Sequence, residues 1–313
     1  MTSLQYERIK NTKDFMLPFV DYVFCRLFGS ENNKDRLISL LNSILNGNPY
    51  ISDVTIDPTE YKKTYANGKT IRLDINATTD DGTLINIEMQ CIDTKYIIQR
   101  AELHQAMMLR DIYIRSGDTF DKIPHRISIW ITKTRAFKDR PGCVNEVVAM
   151  FKATKFSPVE IASEKYRLIV VDLTRLNECD LNNLGDMFLP WMRFIDDPQH
   201  MPDDYLNISE LRSALEDLDY LNHNEIARSD YIYRLREISD LNNARSESFE
   251  NGLKKGERIG EERGLKIGEE RGAKQKAIET AINLLKAGVD IDIICKSTGL
   301  STEDIECIKD GRK

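Results

Sequence analysis

Two residues carry most of the chemistry this sequence offers: Asp74 and Glu88, in the segment TIRLDINATTDDGTLINIEMQ. The segment alternates apolar and polar residues on both sides of Asp80-Asp81-Gly82, the pattern of a β-hairpin. A three-residue loop with Gly82 in the left-handed position sets Thr79 opposite Thr83. Asp74 then faces Glu88, Arg72 faces Gln90 and Asn76 faces Asn86, all on one side of the sheet. Leu73, Ile75 and Ala77 share the other side with Ile85, Ile87 and Met89. A slip of one residue would mix the two faces, so the alternation itself selects this register.

Two carboxylates directly opposed on a strand pair repel each other unless water or a cation lies between them. The ordinary reading is a solvent-facing sheet side, where Asp, Glu, Asn and Gln are common. The sharper reading is a hard-metal site, because Mg²⁺ takes oxygen ligands and is often held by one or two carboxylates plus water. A metal on Asp74 and Glu88 could lower the pKa of bound water and offset charge on a phosphodiester transition state.

The elements that must position these residues read as an α/β arrangement. Asp14 can cap a helical run, FMLPFVDYVFCRLFG, that Gly29 terminates, and NKDRLISLLNSILNG repeats the pattern with Gly47 at its end. ISDVTI and EYKKTYANG look extended, with Pro58 and Asn67-Gly68 as punctuation. Residues 93–116 lack Gly and Pro and fit a long helix, RISIWIT is a strand, and residues 144–151 and YRLIVVDL are further strand candidates. From about 180 to 245 the reading is helical, broken by Pro190, Pro198 and Pro202. Helices, strands, a helix, a strand and then mixed elements make an α/β domain with a mixed sheet.

Composition narrows the class. At 313 residues and 41% hydrophobic, the chain can build a core and is not a disordered chain. No stretch approaches the roughly 20 apolar residues of a membrane span, and MTSLQYERIK has no apolar segment behind its charges, so a cytoplasmic protein without a membrane partner is expected. Cys25, Cys91, Cys143, Cys179, Cys295 and Cys307 show no CxxC spacing, which points to reduced thiols rather than a disulfide framework or zinc site. Residues 1–250 carry 31 basic against 39 acidic residues, whereas residues 251–313 carry 13 against 12. An acidic body is not that of a charge-driven nucleic-acid binder.

The last part of the chain differs in kind. Glycines fall every four residues from Gly252 to Gly272, five of them inside KKGERIGEERGLKIGEERGAKQK, where Glu262–Lys266 and Glu270–Lys274 are favourable i,i+4 pairs. Each interior Gly costs a helix about 0.8–1 kcal/mol relative to Ala, so six make a weak helix alone. Two readings stay open: a solvated helical linker, or a close-packed self-association helix. IDIICKSTGLSTEDIECI has helix-turn-helix spacing, but Glu303, Asp304, Glu306 and Asp310 would face phosphates, so a protein-docking helical hairpin is preferred.

The ordered set FCRLFGSENNKDRLISLLNSIL, RLDINATTDDGTLINIEMQ, the long helix and RISIWIT resembles the PD-(D/E)XK nuclease superfamily. More narrowly, with the IEMQ ending and the Gly-every-four tail, it is similar to the recombination-promoting nuclease (Rpn) or putative transposase family of bacteria. The resemblance implies a restriction-endonuclease-like core, a mixed central sheet flanked by helices, with a helical C-terminal tail. It also implies a metal-dependent DNA endonuclease, using Mg²⁺ or Mn²⁺, linked to recombination, mobile elements or phage defence. Asp74 and Glu88 match the metal-binding acidic pair, and Gln90 stands where the wider superfamily has Lys. Asp21 loosely matches the auxiliary acidic residue of the first helix, and Arg100, one turn from His104, falls on the helix that packs beside the site. For Arg100, for Gln99 and for the basic segment Lys133, Arg135, Lys138 and Arg140 around Phe137, an exposed surface explains the pattern equally simply. The same holds for Lys62 and Lys63 beside Tyr61 and Tyr65.

The expected layout is a nuclease-like domain over 1–245, a charged helical linker over 246–276 and a small helical tail over 277–313 that sets a homo-oligomeric state. An amide cannot supply the charge or proton transfer of Lys. Gln90 therefore leaves room for an alternative, a catalytically weak or inactive nuclease-like scaffold that acts through tail oligomerisation.

Overall fold

The computed structural model describes residues 3–57, 60–61, 71–72, 74–91, 96–110, 112, 119–137, 140–148, 150–151, 160–161 and 165–310. Helices α1 (Ser3–Lys10), α2 (Asp21–Phe28) and α3 (Lys34–Leu45) come first, followed by strands β1 (Val54–Asp57), β2 (Glu60–Tyr61) and β3 (Ile71–Arg72). The hairpin is β4 (Ile75–Thr79) and β5 (Leu84–Gln90), and helix α4 (Ile97–Leu109) leads to β6 (Arg126–Thr132). Strands β7 (Val144–Val148), β8 (Met150–Phe151), β9 (Glu160–Ile161) and β10 (Tyr166–Asp172) precede α5 (Phe188–Asp196) and α6 (Ser209–His223). Helix α7 (Glu225–Lys286) is 62 residues long, and α8 (Ile291–Thr298) and α9 (Thr302–Lys309) close the chain.

Six strands form one mixed sheet in the order β1-β4-β5-β6-β10-β7, with β5, β6 and β10 parallel and the other pairs antiparallel. β4 and β5 pair in the register that the alternation selects from Ile75–Ile87 onward, with Asn76 opposite Asn86 and Gly82 at a φ of 81° in the turn, but Arg72, expected opposite Gln90, pairs with Glu60 in the separate β2–β3 sheet. Ile85, Ile87 and Met89 join Ile127, Ile129 and Ile131 in the large core against α2, α3, α5 and α6. Trp130, Leu168 and Val170 point to the opposite face, where Ile97 and Ala101 of α4 cover them. The polar hairpin face is therefore not a solvent side: Asn76, Asn86 and Glu88 are 3%, 0% and 4% exposed. Helix α4, returning the chain from β5 to the parallel β6, is what buries it.

Several expectations are corrected. Asp14 caps no helix; it has a φ of 53°, and α2 begins only at Asp21. Pro18 disfavours helical geometry at Leu17, so a helix does not run through from Asp14. Helix α4 ends at Leu109, where Arg110 N–H bonds to Met107 O in a tighter turn. Pro190 does not break α5, because it falls in the first turn, where its missing N–H has no intrahelical partner to lose. Cys143 and Cys179 form a disulfide, with Cα atoms 5.0 Å apart, where six reduced thiols were expected. Their spacing of 36 residues conceals the pairing, which arises because β7 and the 3₁₀ segment after β10 meet in the fold. Leu73, Lys62, Lys63, Tyr65, Asn67-Gly68 and Lys138 lie outside the described residues, as do residues 93–95, 111, 113–116 and 149.

The chain divides into two compact units, Met1–Asp240 and Leu241–Lys313, and α7 contributes to both. Within the second unit, Ala281 packs with Ile294, Ile305 and Ile308 in a small three-helix core. Asp290 and Ser301 cap α8 and α9, and Gly299 turns between them at a φ of 73°. Among the described residues, no helix is long and apolar enough to cross a membrane.

Candidate active site

Asp74 precedes β4, Glu88 and Gln90 lie on β5, Asp21 opens α2 and Arg100 lies on α4; all five line one cleft of about 740 Å³. The hairpin register brings the two acids side by side. Met89 N–H donates to Asp74 Oδ2 at 2.6 Å, and Asp74 N–H donates to Glu88 Oε1 at 3.3 Å. Although the residue is half-buried, its carboxyl group sits deep in protein. That burial, reinforced by the Glu88 charge, pushes the Asp74 pKa well above the ordinary carboxylate range. The Met89 N–H and the Arg234 charge pull the other way.

Glu88 is oriented by a relay across the buried polar face. Trp130 Nε1–H donates to Ser128 Oγ at 3.0 Å, Ser128 Oγ–H to Asn86 Oδ1 at 3.1 Å, and Asn86 Nδ2–H to Glu88 Oε1 at 2.9 Å. Residues 86, 88, 128 and 130 share a face of two parallel strands whose partners are Asn86–Ser128 and Glu88–Trp130. Each side chain of this relay thereby finds a partner, which lowers the cost of burying it.

Helix α4 stacks two side chains, one turn apart, on Trp130. The Arg100 guanidinium sits 5.0 Å from the ring centroid and donates from Nη1 to Gln90 Oε1 at 2.6 Å. The His104 ring lies 5.4 Å from the Trp130 ring, and its Nδ1 is 3.2 Å from Glu88 Oε1 without the alignment of a hydrogen bond. Arg100 and buried His104 therefore face the site, not solvent. Gln99 is exposed, outside the cleft. Lys133 pairs with Asp196 and lies over the Phe19 ring, and Phe137 packs on the Trp130 cluster, so this segment is partly used up in the fold.

The first turns of α7 supply residues that the sequence did not reveal. Asp230, Tyr233, Arg234 and Glu237 line the cleft beside Asp21. Arg234 Nε donates to both Asp21 oxygens, at 2.8 and 2.9 Å, and Nη2 also donates to Oδ2. Nothing local signals that Arg234 belongs to the site, since 213 residues separate it from Asp21. Next to Gln90, burial pushes the Cys91 thiol up to about 12, and its S–H donates to Phe19 O, so it is an inert packing group.

Among the described residues, no group of three or more His, Cys, Asp or Glu is arranged to hold a metal. The donor set that remains is the Asp74–Glu88 pair, whose Oδ1 and Oε2 take no hydrogen bond among the described residues. Two carboxylates with water completing the shell fit Mg²⁺ or Mn²⁺ and not a four-ligand structural zinc.

A mixed six-stranded sheet flanked by helices, with an Asp and a Glu from one hairpin lining a cleft, is consistent with the PD-(D/E)XK nuclease fold. The chain belongs to the PD-(D/E)XK nuclease family transposases, whose model matches residues 18–248 and so spans every cleft-lining residue. Membership puts it among nucleases linked to mobile elements, with phosphodiester hydrolysis as the class chemistry. No curated protein and no solved structure matches the chain significantly.

Proposed function

We propose that the chain is a metal-dependent DNA endonuclease of the Rpn branch, acting in recombination, mobile-element transfer or phage defence. The observation that carries this reading is the carboxylate pair of Asp74 and Glu88, sunk in one cleft where burial and the Glu88 charge make an ionised Asp74 costly unless a cation adjoins it. A divalent ion bound there supplies Lewis-acid stabilisation of phosphoryl oxygens and a bound water of lowered pKa.

The residues divide the work. Asp74 and Glu88 hold the ion, and Asn86 together with the Asp74 N–H keeps Glu88 in place. Gln90 orients a water or phosphate oxygen but neither carries charge nor transfers a proton. Arg100, bonded to Gln90 Oε1, brings a guanidinium to the place where the wider superfamily has Lys. The second unit is assigned to self-association in the cytoplasm. Support comes from Phe249, Leu253, Leu265 and Ile267, which stand exposed on an otherwise charged helix.

The test is nicking of supercoiled and linear DNA by the full-length protein in Mg²⁺, Mn²⁺, Ca²⁺ or chelator, beside Asp74→Ala and Glu88→Ala. Cleavage in Mg²⁺ or Mn²⁺ that both variants lose is expected. Equal activity in the variants would sink the site, and no cleavage under any condition would move the chain to the scaffold reading.

A further inference from the structure

Asp21 is the third carboxylate of the inner cleft, and both of its oxygens are occupied. The Arg234 fork covers Oδ1 and Oδ2, and Tyr22 N–H takes Oδ1 at 2.8 Å. Arg234 is held in turn by Glu237 at 3.0 Å, and the Arg234 and Asp21 side chains are only 33% and 20% exposed. A paired fork of this kind is stronger than a solvated surface pair. Asp74 Oδ1 and Glu88 Oε2 stand in contrast, with no donor on them among the described residues.

The charges of the cleft wall lead to the same place. Five carboxylates line it against three guanidiniums, those of Arg26, Arg100 and Arg234, which leaves two negative charges. One divalent cation balances two. Without Arg234 the imbalance is three, and Asp21, whose charge already reaches Asp74, loses the fork that covers its oxygens; two-metal sites place their ions about 3.5–4 Å apart, clamped by shared ligands.

We propose that Arg234 is a built-in counter-cation that keeps Asp21 out of the metal-binding set and confines the site to one divalent ion, on Asp74 and Glu88. The inference rests on the metal-dependent reading of the cleft. Arg234 acts through Asp21 and is a positioning residue.

The experiment counts bound Mn²⁺ per full-length chain by calorimetry and by electron paramagnetic resonance. Wild type and Arg234→Lys should each bind one ion, and Arg234→Gln should bind two. The double variant Asp21→Asn/Arg234→Gln removes both charges and leaves the balance unchanged. It should bind one ion, with affinity within about threefold of wild type. One ion in a folded Arg234→Gln overturns the proposal and leaves the metal reading standing. Should Arg234→Gln fail to fold, the double variant decides: an affinity loss beyond about tenfold puts Asp21 inside the metal set and overturns the proposal. No Mn²⁺ bound by wild type overturns the metal reading, and this inference with it.

Discussion

Asp74 concentrates the electrostatic tension of the site. Burial and the Glu88 charge raise its pKa above the ordinary value near 3.8. A carboxyl raised on folding binds more protons folded than unfolded, so its contribution is fully present below that ordinary value and is lost as pH rises through the raised one. In chelator, wild type should therefore lose stability relative to Asp74→Asn as pH rises from the ordinary carboxylate range towards neutrality. Added Mg²⁺ should close the gap at the upper end. Thermal melts of both proteins across the range check this, and a pH-independent difference refutes it. Arg100 makes a separate claim. Its guanidinium is a positive charge bonded to Gln90, so Arg100→Ala should lower kcat by about 10²–10³, the usual cost of one preorganised electrostatic donor. Arg100→Lys should recover part of the loss, since Lys keeps the charge but not the fork that fits both Trp130 and Gln90. Equal kcat for all three proteins would remove Arg100 from the chemistry.

At the scale of elements, α7 runs unbroken through six glycines, none of which has any neighbour within 4 Å of where a Cβ would stand. Replacing Gly260, Gly264 and Gly268 with Ala should raise helicity, by about 0.8–1 kcal/mol per site. If the tail brings copies of the chain into close contact, the same methyl groups keep their backbones apart, and sedimentation should show weaker self-association. A rise in both quantities would leave the glycines as mere helix weakeners. The hairpin was legible in the sequence because a two-residue period and one Gly turn determine both register and face, so Asp74 and Glu88 could be set together before any fold was known, whereas the expected Arg72–Gln90 pair does not form among the described residues. The covering of that face was not legible. Polar residue types on a strand look the same whether water or a helix lies over them, and the Trp130–Ser128–Asn86 relay exists only once β6 pairs with β5. Arg234 was hidden for a related reason: its helix is exposed and charged over most of its length, and only its first turns meet Asp21.

For the whole molecule, the issue is how an acidic body meets a polyanion. Residues 1–250 carry a net charge of −8, and the cleft wall itself is short of two positive charges. Counterion release from many Lys and Arg contacts, the usual source of non-specific DNA affinity, is therefore not available to the body as a whole. On the proposed reading, approach depends on an ion held at Asp74 and Glu88 and on the arginines that line the same cleft, Arg26 and Arg100. Binding to a DNA duplex, measured by anisotropy in Ca²⁺ to separate binding from cutting, should exceed binding in chelator by about tenfold or more. Its salt dependence should be shallow, with a slope of about −1 to −3 on the logarithmic plot, because each neutralised phosphate contributes about −0.9. Asp74→Asn with Glu88→Gln should erase the Ca²⁺ effect while leaving that slope in place. Tight binding in chelator with a steep slope would show instead that a basic surface outside the cleft carries the DNA, and the ion would then serve the chemistry alone.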